Sequence, residues 1–66
     1  MSRYENVTIE EVELVEETHK ALKVKITNMY IWIPIKLIVD NDLSDIGDIG
    51  TIIIPKWFAD ERGINT

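Results

Sequence analysis

Leu22, Val24 and Ile26 alternate with Lys23 and Lys25, and after Thr27-Asn28 comes the run Met29-Tyr30-Ile31-Trp32-Ile33. Alternation with a period of two marks a strand that buries one face and wets the other. The β-branched and aromatic content of the second run suits a strand as well. Two intervening residues make a short hairpin turn, with Asn28 as the residue that tolerates positive φ, although the strongly turn-forming Asn-Gly pair is absent. With Ile26 facing Met29, Lys25 faces Tyr30, Val24 faces Ile31, Lys23 faces Trp32 and Leu22 faces Ile33. One face of the hairpin is then aliphatic, and the other alternates lysines with aromatic rings.

The segments on either side are read by the same period test. Asn6 to Glu17 has two readings. Thr8-Ile9-Glu10-Glu11 fits a helix capping box, but Ile9, Val12, Leu14 and Val15 spread around a helical wheel. As a strand, Val7 and Ile9 share one face, and Val12 and Leu14 share one face after a one-residue slip at Glu10-Glu11. Such a slip is what a β-bulge produces, and the bulged strand is the favoured reading. Pro34 ends the β-ladder because it has no N–H to donate, and Ile35 to Val39 continues as a turn of 3₁₀ helix or a short strand. Asp40 to Gly50 reads as an acidic turn-rich loop with a small duplication, Asp45-Ile46-Gly47 and Asp48-Ile49-Gly50. Thr51 to Ile54 reads as an apolar strand that needs cover, in the sheet interior or at a dimer seam. Pro55 opens a helix over Lys56 to Arg62. Gly63 is its left-handed cap, and Ile64 packs back on Phe58 or Ala59. Trp57 and Phe58 are placed to seal one end of a small barrel or sandwich.

These elements define the expected fold. It is an α+β, mainly β, single domain over residues 1–66. A small antiparallel sheet or SH3-like barrel of three to five strands carries one short C-terminal helix. The expected core is Leu22, Val24, Ile26, Ile31, Ile33, Ile53, Trp57 and Phe58. A chain of 66 residues without cysteine has neither a large core nor disulfides to rely on. A homodimer is therefore expected, with an apolar interface near Ile52–Phe58.

The same composition excludes most chemistry. No cysteine removes thiol catalysis, cysteine–zinc sites and iron–sulfur clusters. One histidine, His19, and two serines leave no material for a triad, so an enzyme, a cofactor and a metal are not expected. Asp40-x-Asp42-x-Ser44 begins like a calcium loop but has Asp45 where glycine is needed and Thr51 where a bidentate glutamate belongs. The first ten residues lack the apolar centre of a signal peptide. The run from Met29 to Val39 is too short to span a bilayer and is broken by Pro34 and Lys36. The expected location is the cytoplasm, of whatever cell makes or hosts the chain.

Charge is distributed in blocks within a net value of −5. Residues 1–17 carry six glutamates against Arg3, and residues 18–39 carry Lys20, Lys23, Lys25 and Lys36 with no acid. Residues 40–48 carry Asp40, Asp42, Asp45 and Asp48. Opposite blocks pairing across neighbouring strands is the simplest account; distinct basic and acidic faces are the sharper one. Lys23, Lys25, Tyr30 and Trp32 form the candidate partner-binding surface. Sheets that bind single-stranded nucleic acid use rings to stack bases and lysines to hold phosphates. The net negative charge opposes general affinity for nucleic acid or for an anionic membrane, and lysine stems also pack on rings within a folded sheet. The glutamates Glu10, Glu11, Glu13, Glu16 and Glu17 give a further alternative, an acidic DNA-mimic inhibitor.

Two resemblances rest on short motifs. Glu17-Thr18-x-Lys20-Ala21-Leu22, Trp32-Ile33-Pro34 and Ile54-Pro55-x-Trp57-x-Ala59-x-x-x-Gly63 resemble a group of small uncharacterised proteins encoded by phages and other mobile elements. In that group a Pro-Lys-Ser segment commonly follows the Trp-Ile-Pro strand; here Ile35-Lys36-Leu37 stands there. The resemblance implies a genetic context and no mechanism. Gly50-Thr51-Ile52-Ile53-Ile54-Pro55-Lys56, followed by a short helix and Gly63-Ile64, is similar to the half-motif of AbrB-like swapped-hairpin DNA-binding proteins. That family continues with further strands, whereas this chain stops three residues beyond Gly63, so an AbrB-like assignment is not the expected one. The expected function is a non-enzymatic protein-interaction module with a protein partner. The alternative is a single-stranded nucleic-acid binder through Lys23, Lys25, Tyr30 and Trp32.

Overall fold

A computed structural model describes residues 5–64. Its elements are β1 (Asn6–Glu17), β2 (Ala21–Ile26), β3 (Met29–Pro34), a 3₁₀ turn (Ile35–Leu37), β4 (Asp40–Asn41), β5 (Ile49–Pro55) and α1 (Lys56–Glu61). The five strands form one antiparallel sheet in the order β3-β2-β1-β5-β4. The described residues are mostly β with one short C-terminal helix, and the sheet does not close on itself: β3 and β4 are its two edges.

The central strand is the bulged strand read from the sequence. Val7 pairs with Ile54 and Ile9 with Ile52, but the next pair is Val12 with Gly50, so Glu10-Glu11 carries the extra residue. Glu11 takes it up in a left-handed conformation, φ 58°. The slip returns Val12 and Leu14 to the face already occupied by Ile9, and all three are buried. A second slip, between Leu14 and Glu16, bends the strand again where it pairs with β2.

The hairpin has the register expected from its alternation, from Ile26 opposite Met29 to Leu22 opposite Ile33. The left-handed turn residue is Thr27, φ 56°, and not Asn28. A single positive φ at the first central residue is the pattern of a type II′ turn, whose twist matches the flanking strands. At the other end of β2, the Thr18 hydroxyl oxygen accepts the amides of Lys20 (3.2 Å) and Ala21 (3.0 Å), which turns the chain back from β1. His19 lies exposed in that turn.

The core is formed by Ile9, Val12 and Leu14 of β1, the inward residues of β2 and β3, Ile52 and Ile54 of β5, and Phe58, Ala59 and Ile64. Val7, Leu37, Ile38 and Leu43 pack against its border. Two expected members are absent. Ile53 alternates with Ile52 and Ile54 and so points to the opposite face, across from Thr8 and Asp40, where it is half-buried. Trp57 is 43% exposed. The six-residue helix turns Phe58 and Ala59 inward and leaves Trp57 edge-on to Phe58, with ring centroids 5.8 Å apart. Ile52 and Ile54 are covered entirely by their own chain, so their burial does not call for a second subunit.

β5 starts at Ile49, earlier than its apolar run, and pairs with a two-residue β4 inside the segment expected to be all loop. Pro55 stands just before α1 as its N-cap. The helix ends as expected: Gly63 has φ 75°, its amide donates to the Asp60 carbonyl at 3.2 Å, and the Ile64 amide donates to the Ala59 carbonyl at 2.9 Å. These two bonds are the Schellman pattern, and they fold Ile64 back into the core.

Candidate functional site

The β2–β3 hairpin places Lys23, Lys25, Tyr30 and Trp32 on the face opposite the core, the grouping expected from the alternation. Lys23 Nζ lies 5.5 Å from the Tyr30 ring centroid and 5.8 Å from that of Trp32. Lys25 Nζ lies 5.8 Å from the Tyr30 ring. Each ammonium therefore sits within cation–π reach of a ring on the neighbouring strand, with its stem along the sheet.

The β1–β2 register adds a row that the hairpin alone does not reveal. Glu13 stands opposite Lys25 and Glu16 opposite Lys23, and Lys23 Nζ is 4.0 Å from a Glu16 carboxylate oxygen. Across three strands the face thus reads acid, base, aromatic. Lys23 thus has a carboxylate beside it and Lys25 stands opposite Glu13, and the outermost row is the pair of rings, with Tyr30 58% and Trp32 43% exposed. Glu13 and Glu16, two of the five glutamates of the DNA-mimic alternative, stand in register with lysines in this arrangement.

β3 is also a free edge. In a two-residue hairpin the pair next to the turn is hydrogen-bonded and the pairs alternate from there. Ile31 and Ile33 accordingly bond to β2, while Tyr30 and Trp32 turn their N–H and C=O outward. No described residue pairs with that outer edge. Met29 and Ile35, exposed at 40% and 41%, extend the apolar surface at either end. Their place at an edge could not be read from the sequence, because edge position depends on strand order.

The acidic loop is occupied with its own backbone. An Asp48 carboxylate oxygen accepts the amides of Ser44 and Asp45, both at 2.8 Å. Asp42 Oδ1 accepts the Thr51 amide at 2.8 Å, and Asn41 Oδ1 the Leu43 amide at 2.8 Å. The two amides on Asp48, from Asp45 and then Ser44, hold its carboxyl below the usual carboxylate range. These carboxylates fasten the loop, and among the described residues no group of three or more His, Asp or Glu is arranged to hold a metal. A shallow cavity of about 340 Å³ opens beside the loop, with Leu14, Leu22, Ile35, Ile38, Val39 and Leu43 as its apolar lining. No helix among the described residues is long and apolar enough to cross a membrane. No protein-family model, curated protein or solved structure was found to match the chain.

Proposed function

We propose that the chain is a non-enzymatic protein-interaction module that binds a protein partner through the edge and outer face of β3. The carrying observation is the exposure of Tyr30 and Trp32 on an edge strand whose neighbouring lysines stand in register with Glu13 and Glu16. Rings at a free edge supply apolar area and ring stacking, and outward N–H and C=O groups supply main-chain hydrogen bonds. Together these are the two components of β-strand addition. The phage-like motifs support an origin in a phage or other mobile element, acting in the cytoplasm of the host. The two slips that bend β1, the strand shared by both halves of the sheet, give the curvature that supports an SH3-like barrel. Affinity capture with the wild-type chain and with Trp32→Lys tests the reading. Proteins retained by the first and lost by the second support it, and an identical retained set overturns it.

The second reading is single-stranded nucleic-acid binding, favoured by the lysines poised over the rings. Anisotropy of a labelled oligonucleotide tests it. A sub-micromolar constant that weakens steeply with salt and on Trp32→Ala would establish it. Binding no tighter than high micromolar at physiological salt is the result expected from the balanced charges.

A further inference from the structure

We infer that the strand added to β3 is β3 of a second copy of this chain, so that two sheets join antiparallel across a two-fold axis at Ile31. The inference rests on the interaction reading above and names its partner.

Four features of the molecule converge on this. The first is that β3, Met29–Pro34, carries no charged residue in a chain of net charge −5. Protein edges are ordinarily guarded by charge, by bulges or by being very short. β3 has six residues and an unbroken register, and Pro34 guards only its last position.

The second is self-complementarity. The outward-bonding residues are Tyr30 and Trp32, so the symmetric pairing sets Tyr30 against Trp32 of the second copy, with Ile31 against Ile31 between them. On the outer face this stacks a tyrosine on a tryptophan twice, in the cross-strand geometry that favours aromatic pairs. On the core face Met29 falls beside Ile33 of the second copy.

The third is charge. On the outer face each copy brings its rings to the seam first, then Lys23 and Lys25, then Glu13 and Glu16. Like charges on the two copies are separated by both aromatic rows, and each lysine already faces an acid of its own chain. An unrelated strand would have to be equally uncharged and aromatic, whereas the second copy has those properties by construction.

The fourth is the other edge. β4 has two residues, Asp40 and Asn41, whose side-chain oxygens accept the amides of Asn41 (2.9 Å) and Leu43 (2.8 Å). A short, polar, self-capped edge does not template pairing. With one adhesive edge per chain, association closes at a dimer and does not propagate into a fibre.

The experiment is sedimentation equilibrium of the full chain at tens of micromolar, with hydrogen exchange of individual amides on the same sample. Wild type is expected at about twice 7.6 kDa. The Tyr30 and Trp32 amides, which have no acceptor at the edge among the described residues, are expected to be protected. Trp32→Lys places a charge in the seam at an exposed position and is expected to sediment as monomer with an unchanged circular dichroism spectrum. Ile49→Lys alters a residue 69% exposed on β5, away from the seam, and is expected to remain a dimer. A wild-type mass near 7.6 kDa overturns the inference, as does a dimer with unprotected Tyr30 and Trp32 amides. A monomer that still captures a protein in a Trp32-dependent way refutes self-pairing alone. A monomer whose captured set is indifferent to Trp32→Lys refutes the interaction reading as well.

Discussion

Val24 stands directly opposite Ile31 across the β2–β3 ladder, and the two are sealed from solvent at 0% and 6% exposure. The hairpin is attached to the rest of the core through this pair and its neighbours Leu22, Ile26 and Ile33. Ile31→Ala is expected to cost about 2–4 kcal/mol, a large share of the stability of a small domain. Urea unfolding measures it. A loss below about 0.5 kcal/mol, within the range of ordinary surface substitutions, would mean the hairpin does not carry the core.

Gly50 is required by the clasp between β5 and the acidic loop. A Cβ there collides with the Asp42 carboxylate and comes within 3.3 Å of Leu43 Cδ2. The same carboxylate accepts the Thr51 amide, so the Cβ and the hydrogen bond compete for one space. Gly50→Ala is expected to destabilise by about 1–3 kcal/mol, combining overpacking with a displaced hydrogen bond. Thermal unfolding at matched concentration checks this, and an unchanged midpoint would show that the loop moves aside freely.

Thr27 is a β-branched residue in the left-handed region, φ 56°, where its branched Cβ crowds the backbone. Glycine is the preferred residue at the first central position of a type II′ turn. Relief of the crowding is partly offset by the greater freedom of glycine in the unfolded chain. Thr27→Gly is expected to raise stability by about 0.5–1 kcal/mol, read as a higher urea midpoint at unchanged slope. A lower midpoint would contradict the left-handed assignment.

Asp48 makes the loop sensitive to acid. Its carboxyl is held below the ordinary range because the charged form accepts the Asp45 and Ser44 amides. A depressed folded-state pKa means that its stabilisation is fully present above the ordinary aspartate value, about 3.9. The stabilisation declines as pH falls from there through the depressed value. Wild type should therefore exceed Asp48→Asn in stability at about pH 6, and the difference should shrink toward about pH 2. A pH-independent difference would assign the effect to shape and not to charge.

How much was legible follows from the range of the interactions. The bulge at Glu10-Glu11 was readable because a period-two pattern that slips by one leaves a mark in the sequence itself: Val7 and Ile9 are out of phase with Val12 and Leu14. The four residues of the lysine–aromatic face were readable for the same reason. The pairing of opposite charge blocks across neighbouring strands was readable as well, but its partners, Glu13 for Lys25 and Glu16 for Lys23, were not, since they depend on β1 lying next to β2 in that register. The opposite signs of the first two charge blocks were the only trace of that pairing.

The local devices are written in the chain: the hairpin and its register, the slip in β1, and the cap at Gly63 with Ile64 folded back. Each is set by contacts among residues a few positions apart, where alternation, turn chemistry and backbone freedom act directly. Packing between distant segments sets which face of Ile52-Ile53-Ile54 is core, that Trp57 remains outside while Phe58 goes in, and that β3 is left as an open edge beside β2. Those outcomes depend on which strand β1 accepts on each side and on where a two-turn helix lands. Strand pairing between distant segments is governed by main-chain hydrogen bonds that every residue can make, so side-chain periodicity carries no label for the neighbour.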